Sequence, residues 1–226
     1  MGAPCGSTAR RRQAQREAAL RTQIAADLHD DVGTLLSQIS LQSSLLQEGV
    51  ADADGQRRQL GQISEASRSA VRQLNDVVWS LDAHNDTLPQ LLDRLRDYAY
   101  EVLAPSGLHI KFEVPETLPT THLSLALRRN LYLIYKETLH NVLKHAAGAS
   151  WLRVRLSLES SPSRLLLEIN NEVVPVLAAH PTAVPYQRRS GHGLRNITQR
   201  AVAVGGTAEC GPQADGSFRV RVQFPL

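Results

Sequence analysis

Aromatic residues make up only 4% of this 226-residue chain, which argues against an all-β sandwich rich in tyrosine and tryptophan and suits helices with a modest sheet. Cysteine occurs twice, at Cys5 and Cys210, far apart and outside any cluster with histidine, so neither a disulfide framework nor a cysteine metal site is expected; the pattern fits a reducing cytoplasm. No run approaches the roughly 20 apolar residues of a membrane span, and the opening MGAPCGSTARRR lacks the apolar stretch of a signal peptide, so a soluble chain is expected. A strong charge excess is missing too. The formal charge is +3, much of it gathered in ARRRQAQREAALR at 9–21, and the remainder is balanced, which leaves no electrostatic case for nucleic acid as a substrate. That basic arm reads as a solvated helix start or as the juxtamembrane segment of a longer protein.

The length suits two small domains. Leu28, Val32, Leu35, Ile39 and Leu46 recur at heptad-like spacing, and after the breaker EGVADADG at 48–55 a second stripe follows through Leu60, Ile63, Ala70, Leu74, Val77 and Leu81. Two such helices predict an antiparallel hairpin over 17–84, preceded by a basic lead at 1–16. A lone hairpin buries one side of each stripe, so a second copy would complete a four-helix bundle. Thr87 and Pro89 then open a new helix and a second domain, 88–226. Its pattern predicts a strand at 108–114, a long helix from about Thr121 to His145, two strands in WLRVRLSLE and RLLLEIN, and a polar loop at 172–190. A helix at 194–204, capped by Gly205 or Gly206, and two closing strands follow. The fold class is α+β.

Three stretches carry residues suited to chemistry. IAADLHDDVG places His29 about 100° round the helix from the apolar seam, where its ring should reach water. ETLHNVLKHA groups Glu137, Asn141, Lys144 and His145 on adjoining sides of one helix; a carboxylate with an amide oxygen suits a hard cation such as magnesium, and lysine with histidine can meet phosphate. GHGLRN opens a helix with two glycines, whose backbone amides can approach an anion. Each stretch alone is equally at home on a solvated helix face.

In this order, however, the three resemble the phosphoacceptor, N and G2 boxes of two-component sensor histidine kinases. The closest likeness is to the subfamily with LHD at the phosphoacceptor, typified by nitrate and membrane-fluidity sensors, and it spans roughly residues 17–226. The resemblance implies a dimeric phosphotransfer hairpin followed by a GHKL-type ATP-binding α/β sandwich, with ATP and Mg²⁺ as cofactors and an aspartate of a response regulator as phosphoryl acceptor. By the same likeness His29 is the phosphorylated histidine and Asp30 the acid that orients it. Asn141 is the magnesium-binding asparagine with Glu137 beside it, Lys144 and His145 face phosphate, and Gly191, His192, Gly193 and Leu194 end the ATP lid. Gly216 and Ser217 form the last turn of the nucleotide pocket.

The chain departs from the family where an adenine-binding aspartate and two glycines are expected: NEVVP puts Asn171, Val173 and Pro175 there. A neutral amide replaces a charged acceptor, at a cost of about 1 to 2 kcal/mol. Its NH₂ could also meet a guanine carbonyl, so weaker ATP binding and poorer discrimination against GTP are expected. Thr34 stands where the subfamily carries a glutamine, which puts phosphatase activity in doubt. The second reading is therefore a catalytically impaired pseudokinase that binds ATP, dimerises and docks a regulator.

Overall fold

In the computed structural model, residues 5–48, 52–82, 86–146, 148–160, 163–173 and 192–226 are described. They fall into two compact units, Met1–Asn85 and Asp86–Leu226.

The first unit is a helical hairpin of α1 (Cys5–Gln47) and α2 (Ala53–Leu81), which pack on each other. The basic lead is not a separate segment: α1 runs through it without a break, because from Ser7 to Ala19 it is mostly alanine, arginine, glutamine and glutamate, with neither glycine nor proline. The turn is also shorter than the breaker suggested. Asp52 caps α2 by accepting from the Gly55 backbone N–H at 2.8 Å, so Asp54 and Gly55 already belong to the helix. On α1, Leu28, Val32, Leu35, Ile39 and Leu46 are half-buried. On α2 the covered face is narrower than its apolar stripe: Ala66, Ala70 and Ser80 are buried, whereas Leu60, Val71, Leu74 and Val78 are exposed. At 100° per residue these four fall within about 60° of one another, with Ser67 on the same side between Leu60 and Val71.

The second unit runs α3 (Leu88–Leu103), β1 (His109–Glu113), α4 (Leu125–His145), β2 (Trp151–Ser160), β3 (Ser163–Glu172), α5 (His192–Val202), β4 (Thr207–Pro212) and β5 (Ser217–Pro225). Thr87 precedes α3, and its backbone N–H and hydroxyl both donate to the Gln90 side chain, at 3.1 and 2.6 Å, with Pro89 in the first turn. Ser124 caps α4 by accepting from the Leu127 N–H. The five strands form one sheet in the order β1-β2-β3-β5-β4, parallel between β1 and β2 and antiparallel elsewhere.

Period-two alternation gives the sheet two unlike faces. One is apolar: Leu152, Val154, Leu156, Leu167, Ile169, Val220, Val222 and Phe224 are buried, as are Leu91, Leu95, Leu131, Ile134, Tyr135, Leu139, Ile197 and Ala201 of the helices. Between α3 and α4, Tyr98 meets Tyr132 and Tyr135 edge to face at 5.8 and 6.4 Å.

The opposite face carries a row of alternating charge across all five strands, Glu113, Arg155, Glu168, Arg221 and Glu209, each directly opposite the next. Arg155 donates from Nε and Nη2 to Glu113 Oε2 at 2.9 and 2.7 Å, and Lys111 Nζ lies 3.0 Å from the other oxygen. Lys111, with Arg155 second, holds the Glu113 carboxyl down to about 2. A one-residue slip of any strand would set these charges against the apolar face, so the row specifies register.

After α5 the left-handed position falls on Gly205, at φ 74°. Gly206 is needed for a different reason: a β-carbon there would run into the Gln223 carbonyl and lie 2.7 Å from Phe224 Cδ1, so only glycine lets this turn sit on β5.

A cleft between α4, α5 and the apolar sheet face

One row on the apolar face is broken by a polar side chain. Ile110, Leu152, Asn171, Phe218 and Pro212 lie opposite one another across the five strands. Asn171 is 6% exposed, in the middle strand of the sheet. A buried amide in an apolar row costs stability unless it is hydrogen-bonded, and such positions are where ligands are read. Its Nδ2 donates to the Glu172 backbone carbonyl at 2.8 Å.

Above Asn171 opens a cleft of about 240 Å³ lined by Thr138, Asn141, Val142, His145 and Ala146 of α4 and its end, by Asn171 and Val173, by Gly193 and Leu194 of α5, and by Phe218 and Val220 of β5. Its base is apolar and its rim polar.

Gly193 brings the rim together. A β-carbon on it would sit 2.5 Å from Glu137 Oε1 and 3.3 Å from both Asn141 Nδ2 and Oδ1. The absent side chain is thus what allows the first turn of α5 to meet the one carboxylate and one amide that α4 carries four residues apart. Glu137 and Asn141 are both half-buried. A carboxylate and an amide oxygen at one point suit magnesium, a hard cation that prefers few protein ligands and completes its shell with water and phosphate. Among the described residues no group of three or more histidine, cysteine, aspartate or glutamate side chains is placed to hold a metal ion. The N-terminal end of α5 adds backbone N–H groups that favour an anion beside this pair.

The remaining residues singled out from the sequence are placed less uniformly. His145 lines the cleft; Lys144 is exposed and not among the lining residues, because one residue of helix turns it about 100° away. Leu194 lines the cleft and is 41% exposed. Gly191 and residues 174–190 lie outside the described residues; His192 is the first residue of α5, its side chain outside them. Gly216 and Ser217, expected to form the last turn of the pocket, are not among the lining residues and lie just before Phe218 at the start of β5. Gly216 takes a left-handed φ of 80° and accepts the Val173 N–H at 3.2 Å, while buried Ser217 donates its hydroxyl and N–H to Asp215, lowering that carboxyl. The next residues in, Phe218 and Val220, form the wall. They and Thr138, Val142 and Ala146 were not singled out from the sequence, although the alternation of β5 carries a signal for the first two.

His29, Asp30 and Thr34 lie on α1, in the first unit. His29 and Asp30 are one turn N-terminal to exposed Thr34, and their own side chains are outside the described residues.

Residues 21–87 match the HisKA_3 family model, described as histidine kinase. Among curated proteins, the sensor histidine kinase LiaS of Bacillus subtilis is 25% identical over 214 residues, covering 91% of this chain and 54% of that protein. The histidine-protein kinase/phosphatase UhpB of Salmonella typhimurium is 28% identical over 195 residues, 84% of this chain and 36% of UhpB. The nitrate/nitrite sensor NarX of Escherichia coli is 27% identical, covering 90% of this chain and 32% of NarX. The chain thus spans about half the length, or less, of these curated relatives. Among solved structures the Acinetobacter baumannii histidine kinase AdeS superposes with a TM-score of 0.51 at 15% identity, covering 88% of this chain and 98% of that one, a likeness of fold.

Proposed function

We propose that this chain, which belongs to the HisKA_3 subfamily of two-component sensor histidine kinases, phosphorylates itself on His29 from ATP held in the cleft between α4, α5 and the sheet. The observation that carries the reading is the meeting of Glu137, Asn141 and Gly193 at the rim of a cleft whose base holds one buried amide. Adenine fits the apolar base beside Phe218, Val220 and Asn171, and the phosphates fit the rim at the start of α5. Asn141 and Glu137 would hold Mg²⁺, which neutralises charge on the phosphates. In the transfer step a ring nitrogen of His29 attacks the γ-phosphorus in line. An N–P bond forms, the bond to the bridging oxygen breaks, and ADP leaves. Asp30 accepts a hydrogen bond from the other ring nitrogen and stabilises the cation that develops. The phosphoryl group then passes to an aspartate of a response regulator. Thr34, one turn beyond Asp30, carries a hydroxyl suited to positioning a water for hydrolysis of the regulator's phosphoaspartate, the phosphatase reaction.

The impaired-pseudokinase alternative draws no support from the relatives, which are named as kinases. Incubation with ATP labelled on the γ-phosphate and Mg²⁺ separates the two. An active kinase gains acid-labile, base-stable label; a chain that binds ATP without gaining it is the impaired module.

The exposed strip Leu60, Val71, Leu74 and Val78 supports a homodimer through the hairpin. Sedimentation is expected to find a dimer at micromolar concentration. Val71→Glu should weaken it by on the order of 2 kcal/mol, since an apolar side chain is lost from the interface and a charge introduced. A stable wild-type monomer under those conditions would refute the interface. Among the described residues no helix is long and apolar enough to cross a membrane, and we assign the kinase core to the cytoplasmic side of any longer parent protein.

A further inference from the structure

We propose that the outer edge of β1 pairs with itself: a second copy of the chain adds its own β1 antiparallel, centred on Phe112, to make one continuous sheet. The inference is independent of the nucleotide reading of the cleft and of the hairpin interface. β1 is an end strand of the sheet, with β2 on one side and, among the described residues, no strand on the other. The His109 N–H donates to the Ser150 carbonyl at 3.0 Å, so the backbone groups of His109, Lys111 and Glu113 turn towards β2. Those of Ile110 and Phe112 turn outward, and among the described residues they meet no backbone partner there. The core is unfinished along the same edge. Leu152 and Val154 on β2 are fully buried, whereas Ile110 and Phe112, directly opposite them on β1, are half-buried. Tyr100, its ring centre 6.3 Å from that of Phe112, is 56% exposed. An open backbone edge with a half-covered apolar margin is completed by an added strand.

The side chains select which strand. Lys111 and Glu113, two residues apart on the solvent face, carry opposite charges. When two β1 strands pair antiparallel about Phe112, Lys111 of each copy stands opposite Glu113 of the other, Phe112 opposite Phe112, and Ile110 opposite Val114. The outward groups of Phe112 then make a hydrogen-bonded pair. The charged residues fall at the adjoining non-hydrogen-bonded pair, where side chains approach most closely. Centring on Lys111 instead would set lysine against lysine, and centring on Glu113 would set carboxylate against carboxylate. Within one chain Glu113 holds Arg155 at 2.7 Å and Lys111 at 3.0 Å, and the Lys111 side chain, 69% exposed, can trade its own carboxylate for that of the second copy. This exchange fixes register more than it adds strength, and so short a strand makes the contact weak and reversible.

Zero-length carbodiimide coupling of the wild-type full chain at high micromolar concentration tests this. After proteolysis, an amide between Lys111 and Glu113 that joins two peptides both containing residue 113 can arise only between copies, and it is the expected product. Finding the intrachain amide alone would overturn the proposal. In chains that also carry Cys5→Ser and Cys210→Ser, Phe112→Cys should form a disulfide between copies, because a hydrogen-bonded pair sets the two α-carbons about 5.5 Å apart. Glu209→Cys, on the opposite edge strand β4, should link far more slowly. Adding either Lys111→Glu or Glu113→Lys to the Phe112→Cys chain sets like charges opposite and should slow linkage by on the order of tenfold, and mixing the two should restore it. Linkage no faster at position 112 than at 209 would mean that the charges only protect the edge; linkage indifferent to the charge changes would mean pairing in another register. Either result overturns the proposal. The coupling is read on the wild-type chain, so a poorly folding variant does not remove the test.

Discussion

His29→Gln is expected to abolish incorporation of acid-labile phosphate from γ-labelled ATP, to below detection, while ATP binding is unchanged. Glutamine is uncharged, of similar reach, and at home in a helix, so α1 should persist. What it lacks is a nucleophilic ring nitrogen, and an amide nitrogen cannot substitute because its lone pair is delocalised into the carbonyl. Binding should survive because Glu137, Asn141, Asn171 and Gly193 all belong to the second compact unit, whereas residue 29 belongs to the first. The chain has eight histidines, and three of the others, His140, His145 and His192, lie on α4 or α5. Label retained by His29→Gln would identify one of these or another as acceptor; loss of ATP binding would mean that the substitution acts through the fold. Labelling and calorimetry on one preparation distinguish these outcomes.

The sequence made local structure and residue types legible, and left non-local geometry hidden. Helix α4 could be read from its period, and the strand LHIKFEV and both closing strands stand close to where composition places them. Glu137 and Asn141 could be paired because four residues on a helix is one turn, a relation that needs no knowledge of the rest of the fold. Gly193 could be noticed as a glycine opening a helix, but that its missing side chain is what lets α5 meet Glu137 depends on how two elements fifty residues apart pack. Phe218 and Val220 were hidden for the same reason: alternation shows that they share a face, and only strand order shows that this face lies beside Asn171. At Asn171 the residue type showed a neutral amide, but that its Nδ2 pairs with the Glu172 backbone carbonyl could not be read from the sequence. On α2 the apolar stripe was legible, but not how little of it α1 would cover.

Gly193→Ala is expected to cut the rate of self-phosphorylation by on the order of a hundredfold at limiting Mg²⁺ without unfolding the chain. The new methyl would stand 2.5 Å from Glu137 Oε1, closer than unbonded atoms tolerate, and 3.3 Å from both polar atoms of the Asn141 side chain. The nearest atom is the end of a flexible side chain, so the relief is for Glu137 to rotate away rather than for α4 to move; alanine favours helix over glycine, which offsets any loss of packing. Stability should therefore change little. What changes is the pair of oxygen donors: with the carboxylate displaced, the site retains an amide that has itself been crowded, and a misplacement of about 1 Å in such a group costs up to about a hundredfold in rate. Because the defect lies in holding the cation, raising Mg²⁺ should restore part of the rate, and the apparent Mg²⁺ affinity should fall more than the affinity for nucleotide measured without metal. Glu137→Gln provides the comparison, since it keeps the shape and removes the charge, and it should show the same dependence on Mg²⁺. If Gly193→Ala labels at the wild-type rate across the Mg²⁺ range, Glu137 is not a ligand of the cation, and the meeting of α4 with α5 at this point is packing alone.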